Sequence, residues 1–160
     1  MKHALDDPGD RVGYLLWQTA HLVNRGVTAA LEGYDLTPAQ FGALVHTGRE
    51  PGVSAAELAR RINVTPQSVQ TALRPLLERS WMERRSHPIH RRVLGNYLTP
   101  DGAAQTHRAS DAVAEFDRRL LGTFSDEQST DFRAGIERVL LTLNPTALDR
   151  SSLRSERPPP

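Results

Sequence analysis

The stretch SAAELARRINVTPQSVQTALRPLLERS (Ser54–Ser80) decides the fold. It contains two helix starts. Ser54 is followed three residues later by Glu57, the spacing of a capping box, in which the hydroxyl accepts from a free backbone N–H of the first turn. Thr65 precedes Pro66, and proline suits a first helical position because its missing N–H would be unpaired there anyway. Asn63-Val64-Thr65 is then a turn joining a short helix, Ala55–Ile62, to a longer one, Pro66–Arg79. Val69, Leu73 and Leu76 are spaced to bury one face of the second helix. Two helices across so short a turn make a helix-turn-helix, whose second helix reads the major groove. Pro75 falls inside that second helix. It removes the hydrogen bond to the Thr71 carbonyl, which costs on the order of 3 kcal/mol in a regular helix interior. The polar turns that would meet DNA lie before it, so the expectation is a kink near Thr71–Pro75, not a lost helix.

The same start signals recur outward from this unit. Thr37-Pro38-Ala39-Gln40, Thr99-Pro100 and Ser125-Asp126-Glu127-Gln128 each open a helix. The reading is a first helix from about Asp10 to Leu31 with Gly33 as its stop, a second from Pro38 to Gly48, and a turn at Arg49–Gly52. After Ser80 the period becomes that of strands. Trp81–Ser86 and Arg92–Leu98 flank HPIHR (His87–Arg91), a hairpin with a basic tip. Helices over Pro100–Leu121 and Asp126–Leu143 follow, then a tail from Asn144 rich in proline and charge, expected to be largely disordered. The fold class is mainly α with a small β-hairpin wing: a winged helix-turn-helix. Residues 37–99 form its DNA-binding region, between an N-terminal helical part (1–36) and C-terminal helices (100–143), with 144–160 as the tail.

Charge points to the same middle. Residues 49–92 hold nine arginines and four glutamates, a net +5; the chain total of +1 leaves −4 for the rest. Such a basic segment attracts a duplex backbone. The chain has no cysteine, which excludes disulfide and thiolate chemistry. No apolar run approaches the ~18 residues of a membrane span, and no signal-peptide pattern opens the chain, so the expected location is cytoplasmic. No nucleophile elbow, phosphate loop or metal triad marks an enzyme, and no cofactor is implied. The six histidines include no pair spaced four apart on a helix, so no metal site is expected.

The segments LTPAQFGAL, SAAELARRINVTPQSV, ERRSHPIHRR and YLTPDG, in this order and spacing, resemble the MarR family. The resemblance spans about Tyr14 to Leu143. It implies a homodimeric transcriptional regulator, a repressor on a pseudo-palindromic operator. It implies dimerisation through the first and last two helices, a wing arginine in the minor groove, and release of DNA by a small aromatic or phenolic effector. Three features depart from the family pattern. Ser80-Trp81 stands where Gly-Leu is usual, His90 replaces the wing's acidic residue, and Pro75 replaces a helix-compatible polar residue.

The expected base-reading group is Gln67, Ser68, Gln70 and Thr71, whose side chains donate and accept to base edges; glutamine suits adenine. Arg91 and Arg92 are the wing candidates, with Arg92 aligned to the family's wing arginine. Arg84 and Arg85 are expected at phosphates, and one of Arg60 and Arg61 at the backbone. Trp17 and His21 share a helix face, and with His46 and His107 they either line the effector site that the family implies or serve as dimer-core aromatics and satisfied partners. The different-class alternative is a winged-helix dimer that acts through protein contacts or ligand sequestration, with weak DNA binding.

Overall fold

Every expected Thr or Ser helix start is made. In the computed structural model, which describes residues 8–86, 94–145 and 147, the hydroxyls of Thr37, Ser54, Thr65, Thr99 and Ser125 accept from the backbone N–H of Gln40, Glu57, Ser68, Gly102 and Gln128 at 3.0–3.2 Å. Gln40 and Gln128 answer with bonds to the cap N–H at Thr37 and Ser125. Each start satisfies donors that a helix otherwise leaves open. The helices are α1 (Val12–Leu31), α2 (Pro38–Arg49), α3 (Ala55–Arg61), α4 (Pro66–Glu78), α5 (Pro100–Leu120) and α6 (Asp126–Leu143). α4 runs through Pro75 to Glu78, so the helix is not lost.

Helix ends use left-handed residues that are not glycine. Asn63 has φ 52° and Ser80 φ 56°. After α3, Val64 N–H bonds the Ala59 carbonyl at 3.0 Å; after α4, Trp81 N–H bonds the Leu76 carbonyl at 2.9 Å and Ser80 N–H the Leu77 carbonyl at 3.0 Å. These are Schellman closures, which capture carbonyls left open at a helix C-terminus. α1 ends at Leu31, as the pattern places it, but Gly33 is not the residue that turns the chain. A 3-10 turn over Glu32–Tyr34 follows it, and the left-handed residue is Asp35 at φ 53°.

Three strands, not two, form the sheet: β1 (Val53–Ser54), β2 (Met82–Ser86) and β3 (Leu94–Leu98), in the order β1-β3-β2, all antiparallel. Met82 faces Leu98 and Ser86 faces Leu94; Val53 faces Asn96. β1 is a two-residue strand between a turn and a helix cap, too short to show alternation. The hairpin tip, with Arg91 and Arg92, lies outside the described residues.

The core joins Leu31, Leu36, Ala43, Leu44, Val53, Leu58, Val69, Leu73, Leu76, Met82 and Ala109. It sits between α2, α3, α4 and the sheet, with α5 closing over α1 and α2. Two close approaches fix α5. A Cβ on Gly102 would stand 1.8 Å from the Trp81 carbonyl oxygen, and one on Gly26 of α1 would stand 2.1 Å from the Phe116 ring. At the start of the tail, Asn144 donates to the Arg60 carbonyl at 3.2 Å, and Ala147 is buried. No helix among the described residues is long and apolar enough to cross a membrane.

Candidate nucleic-acid interface

Burial of Val69, Ala72, Leu73 and Leu76 turns the other side of α4 outward. That side carries Gln67, Ser68, Gln70 and Thr71, all exposed. They are not equally available. Thr71 Oγ1 donates back to the Gln67 carbonyl at 3.1 Å, and Ser68 Oγ pairs with Thr65 Oγ1 at 2.8 Å. Gln70 Oε1 accepts from Arg84 Nη2 at 2.7 Å, so the wing strand β2 is tied directly to α4.

The basic middle divides by partner. Arg61 is buried, with Nε 3.0 Å from Glu57 Oε1 and Nη2 2.7 Å from Glu50 Oε2. Burial works against its charge, but hydrogen bonds and attraction from Glu50 and Glu57 outweigh this and hold its pKa above the ordinary guanidinium value. Arg61 therefore cannot reach a phosphate, and the exposed Arg60, paired with Glu57, is the supporting-helix candidate. Arg85 pairs with Glu83 and lies 5.2 Å from the Tyr97 ring centroid. Arg79 pairs with Asp35, donates to its carbonyl at 2.9 Å and lies over Trp81. Arg84 differs from these: its bonds run to two neutral amides, Gln70 and Asn96, so its charge stands beside the exposed face of α4, uncancelled by a carboxylate among the described residues.

The arrangement, a capped polar helix flanked by a basic strand, is a nucleic-acid-reading geometry. A family model described as the MarR family matches residues 34–93. The HTH-type transcriptional repressor Rv2887 of Mycobacterium tuberculosis (strain ATCC 25618 / H37Rv) is 34% identical over 128 residues, 80% of this chain and 92% of the relative. The chain belongs to the MarR family. It is a winged helix-turn-helix transcriptional regulator and not an enzyme. The solved structure of the Mycobacterium tuberculosis MarR family protein Rv2887 in complex with DNA aligns with a TM-score of 0.68 at 32% identity, covering 81% of this chain and 97% of that one. The same protein in complex with salicylic acid aligns with a TM-score of 0.68 at 34% identity, covering 81% and 96%.

Within this MarR regulator the four effector candidates are not gathered. Trp17 and His21 meet on α1, ring centroids 4.5 Å apart, and His21 Nδ1 is 2.8 Å from the Trp17 carbonyl oxygen. Tyr14 lies 6.0 Å from Trp17 on the same face. No hydrogen bond or ring contact among the described residues joins this pair to His46 or His107. His107 is exposed on α5, whereas His46 is half-buried on α2. Burial, then the charges of Arg61 and Arg49, hold the His46 pKa below the ordinary imidazole value, against a smaller pull from Glu50. A groove of about 220 Å³ lies elsewhere, between α5 and α6, lined by Leu120, Leu121, Phe132 and Ile136 with Asp117, Arg133 and Glu137 at its margins. No group of three or more His, Asp or Glu side chains among the described residues is arranged to hold a metal ion.

Sequence reasoning missed Asn96 and the Arg79–Asp35 tie. Asn96 is 1% exposed and donates to the Val53 carbonyl at 2.8 Å. Its one signal was an amide in the middle of an apolar strand. Arg79 and Asp35 lie 44 residues apart in the chain, and nothing local announces their pairing.

Proposed function

We propose that this chain is a homodimeric, effector-responsive repressor that places α4 in the major groove of each half of a pseudo-palindromic operator. The observation that carries the reading is the outward face Gln67-Ser68-Gln70-Thr71 with the uncancelled Arg84 beside it. Arg91 and Arg92 at the wing, together with Arg85, supply minor-groove and phosphate contacts. The DNA-bound structure of a relative at 32% identity supports this use of the fold.

Dimerisation is supported by what one chain leaves uncovered. α6 buries no residue and exposes Phe132, Ile136, Val139, Leu140 and Leu143. α1 buries only Leu31 and exposes Val12, Leu15, Trp17 and Leu22. Apolar faces of this extent belong against a partner, and two-fold symmetry then matches a palindromic site. The effector reading rests on the relative solved with salicylic acid and on the Trp17–His21 pair. A planar aromatic acid is the ligand class, with Trp17, His21, His46 and His107 as its candidate residues across the assembled dimer.

The test is fluorescence anisotropy of the duplex upstream of its own gene against scrambled DNA, across a salt series, with and without salicylate. Sequence-preferring affinity that falls steeply with salt and weakens with salicylate is expected. Weak binding, equal on both duplexes, would overturn the reading and favour action through protein contacts.

A further inference from the structure

A directional chain of hydrogen bonds runs from the core to the exposed face of α4. It starts at the Val53 carbonyl, which can only accept, so the Asn96 amide must present its Nδ2 there, at 2.8 Å. The same amide then presents Oδ1 to Arg84 Nε at a long 3.4 Å. Guanidinium can only donate, so the next group along, Gln70 at 2.7 Å from Arg84 Nη2, must present Oε1. The polarity is therefore set by chemistry at both ends and is consistent throughout. Gln70 is left with its NH₂ as the free polar group.

We propose that Arg84 is a positioning residue for base recognition: it engages the Gln70 oxygen and leaves Gln70 to act as a hydrogen-bond donor, reading acceptors on a major-groove base edge. Those acceptors are N7 and O6 of guanine, N7 of adenine and O4 of thymine. The bidentate adenine grip expected of glutamine needs the Gln70 oxygen to accept from the adenine amine. That competes with a short bond to a full positive charge. The inference rests on the DNA-reading function proposed above and deepens it, assigning Arg84 to the wing strand's control of α4 and not only to phosphate contact.

The experiment uses the full-length protein and the tightest duplex selected from a randomised pool. The base position whose identity Gln70→Ala relaxes is then varied, including 7-deazapurines, which lack the N7 acceptor. The wild type is expected to lose about tenfold in affinity when that acceptor is removed, the scale of one good base contact. Gln70→Glu keeps an oxygen for Arg84 but has no N–H, and is expected to lose this discrimination as fully as Gln70→Ala. Arg84→Met is expected to lose it as well, beyond any uniform loss on all duplexes. Retained preference in Gln70→Glu, or an Arg84→Met loss that is the same factor on every duplex, would overturn the proposal. All three substitutions are at exposed positions, so folding is not at issue. NMR of the Gln70 side-chain amide without DNA separates this from the broader reading: an ordered amide in wild type that averages in Arg84→Met is expected. If wild type prefers no duplex, both ideas fall, and an ordered amide then locates the failure in DNA binding and not in the chain of bonds.

Discussion

The middle of the chain and its two ends solve opposite problems with the same kind of residue. Between Leu36 and Met82 the large apolar side chains of α2, α3, α4 and the sheet turn inward and are covered by one another. In α1 and α6 they turn outward: Trp17 is 55% exposed and Leu143 79%. The middle is thus covered by its own packing, whereas the ends leave exposed the faces proposed above for dimerisation. In the proposed dimer, stability and assembly are coded in separate helices of one short chain, so substitutions can separate them. Leu73, fully buried at the centre of α4, is expected to cost roughly 3–5 kcal/mol on Leu73→Ala, through lost transfer energy and a cavity. Denaturant unfolding measures it, and DNA binding is lost with the fold. On the dimer proposed above, Ile136→Asp on α6 is expected to leave helix content intact while sedimentation shows monomer in its place. A dimeric Ile136→Asp protein would break the comparison.

A smaller effect is expected where the basic middle turns inward. Arg61→Met takes the buried guanidinium away from Glu50 and from Glu57, which keeps Arg60, and removing one partner of a buried pair costs about 3 kcal/mol. Urea unfolding should show that loss. Operator affinity, extrapolated to the folded protein, should change little, because Arg61 does not reach the exposed face of α4. An equal loss of affinity would return Arg61 to the list of backbone contacts.

How far these roles were legible depends on sequence distance. The helix starts at Thr37, Ser54, Thr65, Thr99 and Ser125 were legible because a cap and its acceptor lie within three residues. α6 was read to the residue. The third strand was not, since Val53–Ser54 becomes a strand only when Asn96 and Gly95 arrive from more than 40 residues away. The division of the arginines into buried, paired and uncancelled was likewise invisible, because Glu50, Gln70 and Asp35 are chosen as partners by tertiary packing. Arg61 carried a local hint: it lies four residues after Glu57 on the helix that also buries Leu58.

His46 gives a pH test of the same inward-facing region. Its pKa is depressed in the fold, by burial first and then by Arg61 and Arg49. Above the ordinary imidazole pKa near ~6.5 both folded and unfolded chains hold it neutral and it contributes no pH dependence. As pH falls through that value the unfolded chain takes up a proton that the folded chain refuses, so stability declines until the folded pKa is reached. His46→Gln is expected to flatten this slope in thermal melts between neutral and mildly acid pH. An unchanged slope would assign the acid sensitivity to other groups.

The smallest effect concerns the hinge between α4 and the wing. Ser80 is not glycine, yet the backbone there is left-handed at φ 56°. A side chain in that region meets the neighbouring carbonyl, at a cost of about 1 kcal/mol. The conformation persists because the surroundings fix it. Ser80 and Trp81 close the end of α4 through Leu77 and Leu76, while Thr99 Oγ1 bonds the Ser80 carbonyl at 2.7 Å and Gly102 leaves room for the Trp81 carbonyl. Ser80→Gly relieves the strain but frees the unfolded chain, so a net gain of about 0.5 kcal/mol is expected. Among the described residues, the hydrogen bonds that Ser80 makes, to Leu77 and Thr99, use its backbone atoms and survive the change. Unfolding midpoints should therefore rise slightly with no change in operator preference. A fall in stability would mean that the serine hydroxyl holds the hinge, and would move the explanation from backbone geometry to the side chain.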